Sequence, residues 1–185
     1  MLYKDHLESP RLTTRFLTKE DEEPWMEYCS DPVATRFTGI PGKTPTELAR
    51  FMIEVGMKRY AEGRLGPQVL LSKETGEMVG MCALLVQEPN GKREIEVGYH
   101  LLRRFWGKGY ATEAAQLLRD YGFENGDMDS IISIIDPLNV ASQAVALRNG
   151  MRVSERGVEF KGNTYDIYRI TRREWEQLKT GQQGA

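Results

Sequence analysis

The 185-residue sequence predicts a mixed α+β fold: a central, mostly antiparallel sheet of about seven strands, one parallel strand-helix-strand crossover, and about four to five helices. Three observations carry this expectation. QVLLS and EMVGMCALLV are apolar runs joined by the turn KETG, the pattern of an antiparallel hairpin. A helix-periodic segment over 110–124 is followed by SIISII, a β-branched run of the kind covered on both faces, so a right-handed parallel crossover is expected there. With 40% hydrophobic residues the chain can bury one substantial core, and a single domain over 1–185 is expected.

Taken in order, RLTTRFL (11–17) reads as a first strand, and Thr18 with Asp21 resembles a capping box opening a helix toward Cys29. Thr44 as N-cap, Pro45 at the first helical position and Glu47 closing a box start a second helix that runs to about Glu62. Phe51, Met52 and Val55 are expected on its inner side, and GRLGP breaks it. After the hairpin, EPNGK turns the chain into a fourth strand, REIEVGYHLL. The helix over 110–124 then places Ala111, Ala114, Ala115, Leu118 and Tyr121 inward and Glu113, Gln116, Arg119 and Asp120 outward, stopping at Asn125-Gly126. SIISII, a helix from about Asn139 to Asn149 ended by Gly150, two strands turning at Gly162-Asn163, and a short helix capped by Thr171 and Glu174 complete the chain.

The formal charge of −2 offers no general attraction to nucleic acid or anionic lipid, although Arg103, Arg104 and Lys108 form a local cationic cluster suited to one anionic ligand. Cys29 and Cys82 lack the close pairing of a zinc or redox motif and read as buried free thiols in a reducing compartment. MLYKDHLESPRL has no apolar core before a cleavage site, and no stretch approaches a membrane span. These features lead to the expectation of a cytoplasmic protein without nucleic-acid, membrane or metal partners, acting as a monomer or homodimer.

RRFWGKGYATEA (103–114) raises the sharpest question. Glycines at 107 and 109 abut a helix start and follow a strand, the context in which backbone N–H groups cradle phosphate. An ordinary tight turn is the simpler reading of the segment alone. A dinucleotide-binding fold would place its glycine turn after the first strand, whereas several antiparallel strands precede this one.

Four stretches in order, SPRLTTRFLTKED, EVGYHLLRRFWGKGYATEAA, DPLNVASQAVALRNGM and YRITRREW, resemble the GNAT superfamily of N-acetyltransferases, in the branch of ribosomal-protein N-terminal acetyltransferases. They span Ser9 to about Trp175. The resemblance implies acetyl-CoA as co-substrate and a primary amine as acceptor, either a protein N-terminus or a small molecule such as an aminoglycoside or polyamine. A non-catalytic acetyl-CoA sensor is the reading from another class.

The superfamily's pyrophosphate pattern, Gln/Arg-x-x-Gly-x-Gly/Ala, fits in two registers. One uses Arg104, Gly107 and Gly109; the other puts Trp106 first, with Gly109 and Ala111 as the small residues at the helix start. The second is favoured, and in either case N–H groups from Gly107 to Thr112 do most of the holding. The resemblance further implies that the fourth strand splays from the fifth and pairs with the pantetheine arm. An N–H near Tyr99 to Leu101 would polarise the thioester, with a bulge expected at Gly98. Cofactor contacts are thus expected at Tyr99, Leu101, Leu102, Arg104, Gly107, Lys108, Gly109, Ala111, Thr112, Asn139 and Ser142.

Glu94 and Glu96 lie two apart on the fourth strand, with Cβ atoms on one face roughly 7 Å apart. Repulsion or partial burial would raise one pKa, and a solvated face of glutamates is the plainer alternative. The resemblance favours Glu96, nearer the expected bulge, as a base acting through water. It also implies that Ser142 hydrogen-bonds the departing sulfur, while Asn139 fits a plain N-cap. Trp25, Tyr28 and Phe37 fall in the region that caps the acceptor cleft in this fold. Trp25 and Phe37, with His100, are the acceptor-binding candidates, set against core packing for the aromatics and an aromatic-like wall role for His100.

Overall fold

One seven-stranded sheet organises the computed structural model, which describes residues 3–182. Its elements are β1 (Leu12–Phe16), α1 (Glu22–Cys29), α2 (Pro45–Ala61), β2 (Pro67–Ser72), β3 (Met78–Gln87), β4 (Glu94–Leu101), α3 (Tyr110–Asn125), β5 (Ser130–Ile135), α4 (Val140–Arg148), β6 (Arg152–Phe160), β7 (Asn163–Thr171) and α5 (Arg172–Gln182). The strand order is β1-β2-β3-β4-β5-β7-β6, antiparallel throughout except for β4 beside β5. The expected mixed sheet and crossover are borne out.

Adjacent strand residues point to opposite faces, and β4 shows which helices cover each. His100 meets Tyr28 of α1, whereas Tyr99 meets Ser142 of α4. Thus α1 and α2 cover one face, and α3, α4 and α5 the other, with Phe123 of α3 stacked on Trp175 of α5 at 5.0 Å. Most of the core is one continuous cluster through both layers, including Trp25, Ile53, Leu84, Val97, Leu118 and Ile131.

Local signals placed the helix starts. Thr44 and Glu47 exchange side-chain and backbone hydrogen bonds, and Thr171 does the same with Glu174. At the first box the Thr18 N–H donates to Asp21 Oδ2 at 2.8 Å. Asp21 is buried and also takes a two-pronged contact from Arg15, at 2.8 and 2.6 Å.

Several expectations fail in instructive ways. The inner face of α2 is Leu48, Ala49, Ile53 and Gly56, with Phe51 and Val55 left 38% and 37% exposed. Gly56 packs closely here: an added Cβ would sit 2.5 Å from Leu17 Cδ1 and 3.0 Å from Pro67 Cγ, so a side chain would require those two to move. The Phe51 ring instead carries the Lys43 ammonium, 4.7 Å from its centroid. Arg119, expected outward, is buried; it donates to the Asn149 carbonyl at 2.7 Å and pairs with Asp120. No bulge forms at Gly98, since β3 and β4 keep one register from Gly80↔Leu101 to Gln87↔Glu94.

Gly80 is where β3 presses hardest on β4. A Cβ there would lie 2.2 Å from the His100 carbonyl oxygen and 2.8 Å from the Leu101 Cα, backbone atoms that cannot swing aside. Gly80→Ala is therefore expected to cost roughly 3 kcal/mol, the upper end of overpacking penalties. Urea denaturation should show a lower midpoint at an unchanged slope, and an unmoved midpoint would mean that the strands yield without cost.

Candidate active site

β4 and β5 share a single parallel pair, Glu96↔Ile132. Beyond it Ser133 Oγ donates to the Val97 carbonyl at 2.9 Å, a side-chain bond within the line of the ladder. On its other edge β4 stays fully paired with β3 as far as Leu101. The strand is thus rigidly held on one side while its Gly98–Leu101 backbone parts from β5 on the other. Of the residues expected there, Tyr99 is half-buried and Leu101 and Leu102 are buried. The Leu102 N–H is committed to the Val79 carbonyl at 3.0 Å, which leaves it unavailable as a donor.

Glu96 sits where the two strands separate, on the α1/α2 face. Gln87 Nε2 donates to its Oε2 at 2.7 Å, and Lys161 Nζ donates to Gln87 Oε1 at 3.1 Å. Burial holds the Glu96 carboxyl above the usual range, against the Gln87 amide, the Ile134 N–H and the charges of Lys161 and Arg59, which favour ionisation. Glu94 is its opposite. It pairs with Arg169 at 2.9 Å and Lys92 at 3.0 Å, and although burial alone would raise its pKa, those two cations hold it below the usual range. Environment, and not mutual repulsion, separates the two carboxylates.

His100 shares the Glu96 face, and its Nδ1 lies 2.8 Å from the Tyr28 hydroxyl. Burial pushes its pKa down to about 4, so the ring is neutral near pH 7. The same burial raises the Tyr28 phenol far above its ordinary value. Trp25 is fully buried and stacked on Tyr28 with centroids 4.4 Å apart, which fits the core-packing alternative. Phe37 is half-buried in the α1–α2 connection, and its ring carries the Arg36 guanidinium, 5.0 Å from its centroid.

The glycine loop enters α3 with two left-handed residues, Gly107 at φ 72° and Gly109 at φ 83°, a conformation costing other residues about 1–2 kcal/mol each. Gly109 is the N-cap and has no side chain to cap the helix, so the first-turn N–H groups of Tyr110, Ala111 and Thr112 have no carbonyl ahead of them within it. Gly107 and Lys108 are exposed, and Ala111 and Thr112 are half-buried. Two of the three expected cations are otherwise engaged: Arg103 with Asp31 at 2.9 Å, Arg104 with Glu27 and Glu77. Trp106 turns back on β4, donating from Nε1 to the Leu101 carbonyl at 3.0 Å. A residue missed in the sequence reading, Arg11, holds this loop from the start of β1, donating to the Lys108 carbonyl at 2.9 Å and pairing with Glu113 at 2.6 Å. Only the long separation between residues 11 and 108 hid it.

On the far side of the gap, Asn139 caps α4 by accepting from the Ser142 N–H at 3.1 Å. Ser142 is half-buried, its hydroxyl one helical turn from the cap, and its carbonyl lies 3.5 Å from the Tyr99 hydroxyl. β4 thus carries a carboxylate and a strand edge parted from β5, an uncapped helix start follows it in the chain, and the helix after β5 brings Ser142 to Tyr99. Such a set can take a proton from a nucleophile, donate to a developing oxyanion and hold an anion.

The profile of the family described as "Acetyltransferase (GNAT) domain" matches residues 11–152. The chain is 34% identical over 168 residues to "Uncharacterized N-acetyltransferase p20" of Bacillus licheniformis, covering 88% of this chain and 92% of that protein. Its fold is similar to the crystal structure of an acetyltransferase from Agrobacterium tumefaciens str. C58, with TM-score 0.76, 26% identity, and 92% and 96% of the two chains covered. It is also similar in fold to a ribosomal L7/L12 alpha-N-protein acetyltransferase solved with coenzyme A, with TM-score 0.68, 20% identity, and 88% and 95% covered.

The His100 geometry has a measurable consequence. A histidine pKa lowered on folding means that the folded state binds fewer protons, so its stabilising contribution is full above the unfolded value and is lost as pH falls from about 6.5 toward 4. NMR titration should give a His100 midpoint near 4, and His100→Asn should flatten the fall in stability across that window. A midpoint near 6.5 would place the ring in water.

Proposed function

The chain belongs to the GNAT acetyltransferase family, and on that premise we propose that it moves an acetyl group from acetyl-CoA to a primary amine by direct attack in a ternary complex. The acceptor proposed is a protein N-terminus. Residues 1–185 are read as one cytoplasmic domain; the buried free thiols Cys29 and Cys82 suit a reducing compartment, and no helix among the described residues is long and apolar enough to cross a membrane.

The observation that carries the reading is the parting of β4 from β5 directly beside Glu96. The donor's pantetheine would extend along the freed β4 edge from Gly98 to Leu101, with N–H groups there donating to the thioester carbonyl. Its pyrophosphate suits the Gly107–Thr112 backbone, where two left-handed glycines lead into the uncapped start of α3 and its first-turn N–H groups have no partner within the helix. Bound there, acetyl-CoA would supply an activated acetyl group and a thiolate leaving group. Glu96, ionised, takes the ammonium proton through water so that the neutral amine can attack. The His100 and Tyr28 pair forms a neutral wall on the same face. Ser142 donates a hydrogen bond to the sulfur as the C–S bond breaks.

The direct experiment incubates the protein with acetyl-CoA and a panel of amines and N-terminal peptides and follows free thiol. Thiol release with peptide and not with aminoglycosides or polyamines supports the acceptor class. Binding of acetyl-CoA without release over the whole panel would make the protein a sensor.

Two variants test the assigned roles. Because burial raises the Glu96 pKa and the ionised form is the base, activity should fall as pH drops through a value above the usual carboxylate range. Glu96→Gln should remove that acid limb and slow turnover by about 10²-fold or more. A carboxyl whose pKa rises on folding costs stability once ionised, so the same variant should be more stable above that pKa and not below it. An unchanged pH–rate profile would move the base elsewhere. Ser142→Ala should lower turnover by several-fold to about a hundredfold while cofactor affinity holds, since a bond to a forming thiolate strengthens in the transition state. Equal losses in turnover and affinity would reduce Ser142 to a positioning role.

A further inference from the structure

The contacts of Arg11 have no evident purpose in the sheet, since its guanidinium faces the glycine loop. Nη1 donates to the Lys108 carbonyl at 2.9 Å, while Nε and Nη2 lie 2.6 Å from Glu113 Oε2. Glu113 Oε1 accepts from the Arg11 backbone N–H at 2.8 Å and from Ser9 Oγ at 2.7 Å. The Arg11 Cζ stands 4.4 Å over the Tyr110 ring, and Nη2 would be 3.3 Å from a Cβ at Gly109. Arg11 therefore touches the carbonyl before Gly109, the residue after it and the first turn of α3.

We infer that Arg11, locked by Glu113 and Ser9, is a positioning residue that aims the Gly109 N–H at the donor's pyrophosphate, an inference that rests on the acetyl-CoA reading. In a trans peptide unit the C=O and the following N–H point in opposite directions. No cis peptide bond occurs among the described residues, so drawing the Lys108 carbonyl toward Arg11 turns the Gly109 N–H away from it, on the side opposite β1. A loop whose flanking glycines are free to rotate needs such a hold, because both are in a conformation that glycine leaves at little cost. Arg11 acts through the backbone and not as a phosphate ligand: its charge is already matched by Glu113.

The sign of one substitution separates this from simple electrostatics. Removing the Glu113 charge near a phosphate site should tighten anion binding if charge alone matters. If Glu113 holds Arg11 in place, Glu113→Gln should weaken binding, because the new amide N–H₂ faces the guanidinium where Oε2 accepted. Calorimetric titration of the full chain with coenzyme A is expected to give losses of about threefold to tenfold for Glu113→Gln and about tenfold or more for Arg11→Ala. Arg11→Lys, which keeps the charge and loses the fork, should recover little of that loss. In the kinetics the KM for acetyl-CoA should rise by more than kcat falls, and the melting temperature of Glu113→Gln should stay near wild type. Tighter binding by Glu113→Gln, full recovery by Arg11→Lys, or unchanged affinity in all three variants would each overturn the inference. Should Arg11→Ala fail to fold, Glu113→Gln and Arg11→Lys still decide it. A wild-type protein that does not bind coenzyme A would instead defeat the acetyl-CoA reading itself, and the inference with it.

Discussion

A backbone N–H or C=O withdrawn from water must find a partner, and the β4–β5 boundary is where this molecule declines to supply one from its own ladder. After the single pair at Glu96↔Ile132 the strands diverge, and the Ser133 hydroxyl covers the carbonyl of Val97. What keeps the gap from closing is the other edge of β4, where eight consecutive register pairs tie it to β3. At Gly80 that edge leaves no room for a side chain, since an added Cβ would meet the His100 carbonyl oxygen. The strand that carries the candidate base is therefore anchored on one side and unmatched on the other, which is the arrangement an extended ligand can complete as an added strand.

The two glutamates of β4 show how little a pattern of spacing says about chemistry. Both occupy the same face of one strand, yet Glu94 meets Arg169 and Lys92 while Glu96 meets an uncharged amide. Arg169 lies on β7, Lys92 in the β3–β4 turn and Gln87 at the end of β3, so the distinction arises only when three separated segments come together. Lys161 in the β6–β7 turn completes the set by holding the other end of the Gln87 amide, which leaves its N–H₂ for Glu96.

What was legible in the sequence was local. The Thr44/Glu47 and Thr171/Glu174 boxes, the Asn139 cap and the crossover into SIISII each depend on residues within a turn or two of one another, and each formed as read. The glycine loop was legible as a place, because Gly107 and Gly109 do take positive φ. The face of α2 was not, since it buries the small Gly56 against Leu17 and Pro67, a contact that hydrophobic periodicity ignores in favour of the larger Phe51 and Val55. Arg119 reads as solvent-facing by type, yet its partner is a main-chain carbonyl at Asn149, which carries no sequence signal. Gly98 was read as a bulge because the resemblance implies a splayed strand and glycine would allow one there. It sits in regular register, with nothing within 4 Å of an added Cβ.

Desolvation sets how well the candidate base could accept a proton from an ammonium. In water a carboxylate near 4.3 is a weak acceptor for an alkylammonium near 10.4, a gap of about six units, and a less weak one for an α-ammonium near 8, a gap of about four. Moving both groups out of water raises the carboxyl and lowers the ammonium, so the gap closes from both ends. Glu96 has been moved in that direction by burial, and the neighbours on its face, neutral His100, protonated Tyr28 and the Gln87 amide, add no negative charge to oppose the ammonium's deprotonation. Lys161 and Arg59 pull the other way and limit how far the carboxyl can rise. A base shifted upward by burial and restrained by two cations stays able to ionise while being a stronger proton acceptor than a carboxylate in water, which is what removing a proton from an ammonium requires.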